Sequence, residues 1–188
     1  MATRIYGNRA LKTLPGQATR PTLSRVREAL FNIWQGTIEG CSWLDLCAGN
    51  GTMGAEALCR GAAHVVGIEK SPRACAIVKQ NWQQVSHTGQ TFEVIRGDVV
   101  KSLPHLAGQQ FDRIYFDPPF AGGLYGPVLE AIAHHHLLAP DGELVAEHPA
   151  HMDLPSIISG PSGKPVLQVC RSKIAIYQQF IWHQPIQF

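Results

Sequence analysis

From Ser42 onward the chain alternates short apolar runs with amphipathic stretches, and a glycine-rich turn marks the first junction. This alternation constrains the fold more than any other feature. Residues 43–47, 64–69, 92–96, 112–116 and 142–147 read as strands. Residues 53–60, 72–85, 99–106 and 125–138 read as helices, the first ended by Gly61 and the second opened by Ser71-Pro72. Five strands joined by helices predict a parallel sheet with both faces covered. The last two strands, 166–170 and 173–182, have only Arg171-Ser172 between them, which fits an antiparallel hairpin. The expected class is α/β, a Rossmann-like, mostly parallel seven-stranded sheet with a terminal antiparallel hairpin and helices on both faces.

The 188 residues suit one domain, and 45% apolar against 16% charged residues supply an ordinary globular core. No apolar run approaches the roughly 20 residues of a membrane span. Arg4 and Arg9 are not followed by an apolar segment, so a secretory signal is not indicated. A cytoplasmic protein without a membrane partner, acting as a monomer, is expected. The five cysteines (Cys41, Cys47, Cys59, Cys75 and Cys170) include no C-x-x-C pair, so free thiols are expected rather than disulfides or zinc.

The net charge of +2 hides a division. Residues 1–27 carry six cations and no acid, whereas the remaining 161 residues carry ten cations against fourteen acids. The first 22 residues read as an extended arm with a possible short strand. Residues 22–34 read as a helix with Thr22 or Ser24 at its start and an apolar stripe of Val26, Leu30, Ile33 and Trp34. Arg20, Arg25 and Arg27 near that start oppose the helix dipole, which suggests an anionic partner. Residues 1–35 are therefore expected to be a basic arm and helix, and residues 36–188 the body.

The turn after the first strand reads Asp45-Leu-Cys-Ala48-Gly49-Asn-Gly51-Thr-Met-Gly54. Its three glycines satisfy a dinucleotide fingerprint, and Glu69 ends the next strand twenty residues after Gly49, placed to bind ribose hydroxyls. Asp45 argues against a pyrophosphate, which it would repel. S-adenosylmethionine has no phosphate and carries a sulfonium and an ammonium, both of which welcome a carboxylate. Gly97-Asp98-Val99 follows the third strand, where Asp98 can accept from an adenine amine and Val99 can pack on the ring. The expected cofactor residues are Asp45, Ala48, Gly49, Gly51, Glu69, Lys70, Asp98 and Val99.

Asp117-Pro118-Pro119-Phe120 follows the fourth strand, at the edge where ligands of open α/β sheets bind. The prolines fix the chain and remove two donors, leaving carbonyls aimed outward. The Asp117 carboxylate and the Pro118 carbonyl can hold the hydrogens of an exocyclic base amine. They thereby localise its lone pair towards a methyl donor, and Phe120 can stack on the base. These four are the expected catalytic residues, with no metal required.

D-P-P-F after a D-x-x-x-G-x-G loop resembles the class I amino-methyltransferases acting on adenine N6 and guanine N2. The wider pattern is closer to one group. Arg4-Ile5 with Gly7, Arg20-Pro21-Thr22 with Arg25-Val26-Arg27-Glu28-Ala29-Leu30-Phe31-Asn32, and Gly54-Ala55-Glu56-Ala57-Leu58 with Arg60-Gly61-Ala62 resemble the bacterial RsmD family of 16S rRNA guanine-N2 methyltransferases. The resemblance extends to about Tyr177. It implies S-adenosylmethionine as cofactor and a guanine of 16S rRNA in the small ribosomal subunit as substrate. It also implies an RNA grip by Arg4, Arg9, Lys12, Arg20, Thr22, Arg25 and Arg27. Asn50 stands where the family often has serine, and its tolerance of positive φ should preserve the loop. The arm retains Gly7 of the usual glycine pair, and the tail after Tyr177 has no assigned counterpart.

Other readings compete. An adenine-N6 methyltransferase acting on DNA or RNA shares D-P-P-F, and an NAD-binding oxidoreductase or a cofactor-binding module shares the glycines. His134-His135-His136 point in different directions on a helix and suit its C-terminus better than a metal. The four tryptophans read as core, and His148 could border the site.

Overall fold

The computed structural model of the chain describes residues 3–14, 21–119, 122–149, 152–160, 162–163, 165–171 and 175–179. Its centre is β3 (Ser42–Leu46), whose last four residues are buried because helices cover both faces. The chain then runs α2 (Thr52–Cys59), β4 (His64–Glu69), α3 (Pro72–Val85), β5 (Thr91–Arg96), α4 (Val99–Ser102), β6 (Phe111–Phe116), α5 (Tyr125–His134) and β7 (Leu138–Ala146). These five strands are parallel and lie in the order β5-β4-β3-β6-β7. The chain moves outward from β3 to β5, then crosses back to β6, so the order reverses between β3 and β6. The carboxyl ends of those two strands flank the resulting crevice.

The sheet continues past β7 with three antiparallel strands, β10 (Ala175–Gln179), β9 (Pro165–Arg171) and β8 (Ile157–Ser159). The expected hairpin is β9–β10, with the later strand inserted against β7. β8 brings the described sheet to eight strands, one more than expected. Its three residues bury only Ile158 and lie in a Pro/Gly/Ser-rich stretch, too short for an alternating pattern to register. Two helices also end earlier than periodicity suggests. Residues 99–106 split into α4 and a 3-10 turn over Leu103–Leu106 containing Pro104, which lacks a backbone donor. α5 stops at His134 because His136 turns to φ 51°, and Leu137 and Leu138 are buried on the way into β7. Among the described residues no helix is long and apolar enough to cross a membrane.

Two cores fill the faces. One packs α4 and α5 on Leu44, Leu46, Val66, Ile68, Ile114 and Phe116. The other packs α1 (Pro21–Ile33), α2 and α3 on Trp43, Val65, Tyr115 and Val145. Phe31 stacks on Trp43 with centroids 5.4 Å apart, and Trp34 meets the same ring edge-on. Trp34, Trp43 and Trp82 are all core, as expected, while Trp182 lies outside the described residues.

The arm is a hairpin of β1 (Thr3–Ile5) and β2 (Arg9–Leu11), turned by Gly7 and Asn8 at positive φ. Thr3, Ile5 and Leu11 are buried, and Ile5 and Leu11 belong to the same core as Trp43. That core runs across the boundary expected near residue 35.

Candidate active site

The turn from β3 to α2 carries positive φ at Cys47 (61°), Gly49 (59°) and Gly51 (72°). Asn50 does not; its side chain instead accepts from the Thr52 hydroxyl at 2.7 Å. Two acidic side chains hold the turn. Asp45 Oδ2 accepts the Gly54 N–H at 3.0 Å, taking one orphan donor of the first turn of α2. Glu69 accepts the Gly49 N–H at 2.8 Å and the Ser71 N–H at 2.7 Å. Ala48 N–H donates to the Ile68 carbonyl at 3.1 Å. Trp82, fully buried, donates its indole N–H to the Gly51 carbonyl at 2.7 Å. Its ring fills the space beside three glycines: a Cβ at Gly54 would fall 2.3 Å from it, at Gly67 2.5 Å and at Gly51 2.8 Å.

The carboxylates converge. Burial pushes the Asp45 carboxyl up to about 8, against the Gly54 hydrogen bond, and the charges of Asp117 and Glu69 push the same way. Cys47 is driven up to about 12 by burial, then by Glu69, Asp45, Asp117 and Asp98, so its thiol is inert at neutral pH. Four acids therefore surround one turn residue at the carboxyl edge of the sheet. Such an edge favours a cationic ligand, whose charge would draw the proton from Asp45, and repels a pyrophosphate, which disfavours a nicotinamide dinucleotide. Asp98 caps α4 by accepting the Lys101 N–H at 3.3 Å, with Lys70 Nζ 4.0 Å from its other oxygen. Val99 is 5% exposed and belongs to the α4–α5 core.

Asp117 follows the end of β6, two residues beyond Tyr115, with Pro118 buried and Pro119 exposed behind it. Phe120 lies outside the described residues, as does Arg20; Thr22 is placed in α1. Beside Asp117, β7 delivers a residue that spacing did not single out. The Glu147 N–H donates to the Phe116 carbonyl at 2.9 Å. The Glu147 carboxylate accepts from the Tyr115 hydroxyl, and its carbonyl accepts from the Tyr125 hydroxyl at 2.7 Å. His148, next along, is half-buried at this edge, with Nδ1 3.1 Å from the Pro149 carbonyl oxygen.

The arm cations separate into two sets. Arg27 is 7% exposed, lies 3.3 Å from Glu56 and donates to the Arg4 carbonyl at 2.8 Å. Glu56, itself buried, also holds Arg60 at 2.8 Å and accepts the Tyr6 N–H at 3.1 Å. Arg27 is thus enclosed in the protein, where no RNA phosphate reaches it. Arg9 donates to the Val85 carbonyl at 3.0 Å at the far end of α3. Arg4 contacts Asn8, and Arg25 is exposed near the start of α1. Among the described arm cations, Lys12 is tied to the site through its backbone. Buried Asn81 bonds both its N–H (2.9 Å) and its carbonyl (3.0 Å), and also the Asn50 carbonyl at 2.9 Å. No spacing rule pointed to Asn81, because it lies on a different helix from the loop it steadies.

Comparison with known proteins bears on this arrangement. Residues 3–174 match the family model described as "Conserved hypothetical protein 95". The chain is 32% identical over 162 residues to "Ribosomal RNA small subunit methyltransferase D" of Escherichia coli, covering 82% of this chain and 78% of that one. It is 31% identical over 144 residues to the protein of the same name in Haemophilus influenzae, covering 76% and 75%. Among solved structures, "Putative methyltransferase yhhF" from Escherichia coli superposes with a TM-score of 0.77 at 25% identity, covering 95% of this chain and 98% of the other. The fold is that of the class I methyltransferases.

Proposed function

This chain belongs to the RsmD family, and on that premise we propose that it transfers a methyl group from S-adenosylmethionine to the exocyclic N2 amine of a guanine in 16S rRNA. The observation that carries this reading is Asp117-Pro118 at the end of β6, across the strand-order reversal from Asp45 and its glycine turn. The acidic cleft suits a ligand bearing a sulfonium and an ammonium. When bound, S-adenosylmethionine supplies an electrophilic methyl group on that sulfonium. Asp45 would hold the ammonium, Glu69 the ribose and Asp98 the adenine, with Ala48, Gly49, Gly51, Lys70 and Val99 completing the same edge. Asp117 and the Pro118 carbonyl accept the two N2 hydrogens and direct the nitrogen lone pair at the methyl carbon. The methyl group would leave the sulfonium without the S–C electron pair, and Asp117 would take the surplus N2 proton on its way to water.

RNA is gripped by the outward cations Arg4, Lys12 and Arg25, joined by Arg20 and Thr22, while Phe120, after Pro119, stacks on the target base. Arg27 and Arg9 brace the arm that presents them. The test is to incubate the purified chain with small-subunit RNA and methyl-labelled S-adenosylmethionine, then digest to nucleosides. Label in N2-methylguanosine is the expected result; label in N6-methyladenosine, or none, would overturn the reading.

A further inference from the structure

Glu147 is held more firmly than the sheet requires. Its N–H closes the β6–β7 ladder, and its carbonyl takes the Tyr125 hydroxyl. Neither contact uses the side chain. Yet Tyr115, 5% exposed, points its hydroxyl into the Glu147 carboxylate. The two tyrosines come from opposite faces of the sheet, Tyr115 from the α1–α3 core and Tyr125 from the α4–α5 core. One phenol thus fixes the Glu147 carboxylate and the other its backbone, so the residue is held at both ends. Glu147 also sits beside Asp117, since its backbone pairs with Phe116, the residue before Asp117.

Guanine presents two donors side by side, N1–H and N2–H, whereas adenine presents its amine beside an unprotonated ring nitrogen. An ionised carboxylate only accepts. Asp117 and Glu147, on adjacent strands, form a pair of acceptors that matches a donor–donor edge and mismatches a donor–acceptor one. We infer that Glu147, braced by Tyr115, accepts the N1–H of the target base and makes the site select guanine. This rests on guanine N2 being the methyl acceptor. Burial raises the Glu147 pKa above the ordinary glutamate value, and the Tyr115 hydrogen bond offsets part of that rise.

The experiment uses 2-aminopurine, which keeps the 2-amine but has no hydrogen on N1. Synthetic RNAs carrying guanine or 2-aminopurine at the target position are methylated by wild type, Glu147→Gln and Tyr115→Phe. Wild type should prefer guanine by roughly 10- to 100-fold in kcat/KM, the scale of one charge-assisted hydrogen bond. In Glu147→Gln, whose amide can donate to N1, the preference should collapse or invert. Tyr115→Phe should narrow it partway. S-adenosylmethionine affinity, measured by calorimetry, should be the same in all three. An unchanged preference in Glu147→Gln, while wild type still makes N2-methylguanosine, overturns the role of Glu147 alone. Wild type that labels no guanine N2 overturns this inference together with the proposed function. Loss of cofactor affinity in Glu147→Gln would assign the residue to the cofactor and also overturn it.

Discussion

Trp82 is the side chain on which the glycine turn is built. Gly54 completes the dinucleotide-like spacing, but its place is dictated by the indole, because a Cβ there would fall 2.3 Å from the ring. Gly54→Ala should therefore cost about 1–3 kcal/mol, as overpacking does, in chemical denaturation. Asp45 gives a second check. Its folded-state carboxyl holds a proton up to about pH 8, whereas its ordinary value is 3.8. The folded state thus binds more protons across that window, and stability should decline as pH rises through it. Asp45→Asn should flatten that part of the stability–pH curve; an unchanged slope would show that Asp45 is ionised in the fold. Asp45 and Glu69 were legible in sequence because loop spacing ties them to the glycines. Glu147 was not, because a lone glutamate after a strand acquires meaning only once β7 lies beside β6.

At the level of elements, the basic arm departs furthest from its charge pattern. Counting cations treats Arg25 and Arg27 alike, yet one is exposed and the other is enclosed with Glu56. The two family-like segments, R-V-R-E and G-A-E-A-L, meet through that ion pair. Charge totals carry no burial information, so this division could not be read from composition. Arg27→Ala should lose about 1–3 kcal/mol of stability, because the Arg4 carbonyl loses its donor and Glu56 keeps Arg60 as its remaining cation. Arg25→Ala should leave the melting temperature unchanged and reduce the salt slope of RNA binding by about one. The reverse pattern would show that Arg27, not Arg25, faces the RNA. The parallel core and the closing hairpin were legible from alternation and loop length. The order β5-β4-β3-β6-β7 and the edge strand β8 were not, because periodicity reports elements and not neighbours.

Across the whole molecule, one edge of the sheet gathers Asp45 and its turn, Glu69, Asp98, Asp117 and Glu147, while the arm is pinned to the same edge through Asn81. The central claim is that this edge methylates N2 of a guanine in 16S rRNA, with Asp117 directing the amine. Its most direct test is to remove the gene, supply it back as wild type or Asp117→Ala, and measure N2-methylguanosine in 16S rRNA by mass spectrometry. Deletion should erase one N2-methylguanosine and wild type should restore it. Asp117→Ala, purified, should transfer methyl groups at least about 100-fold more slowly, as when one preorganised polar group is lost, while still binding S-adenosylmethionine. An unchanged set of 16S modifications after deletion, or full restoration at wild-type rate by Asp117→Ala, would contradict the account.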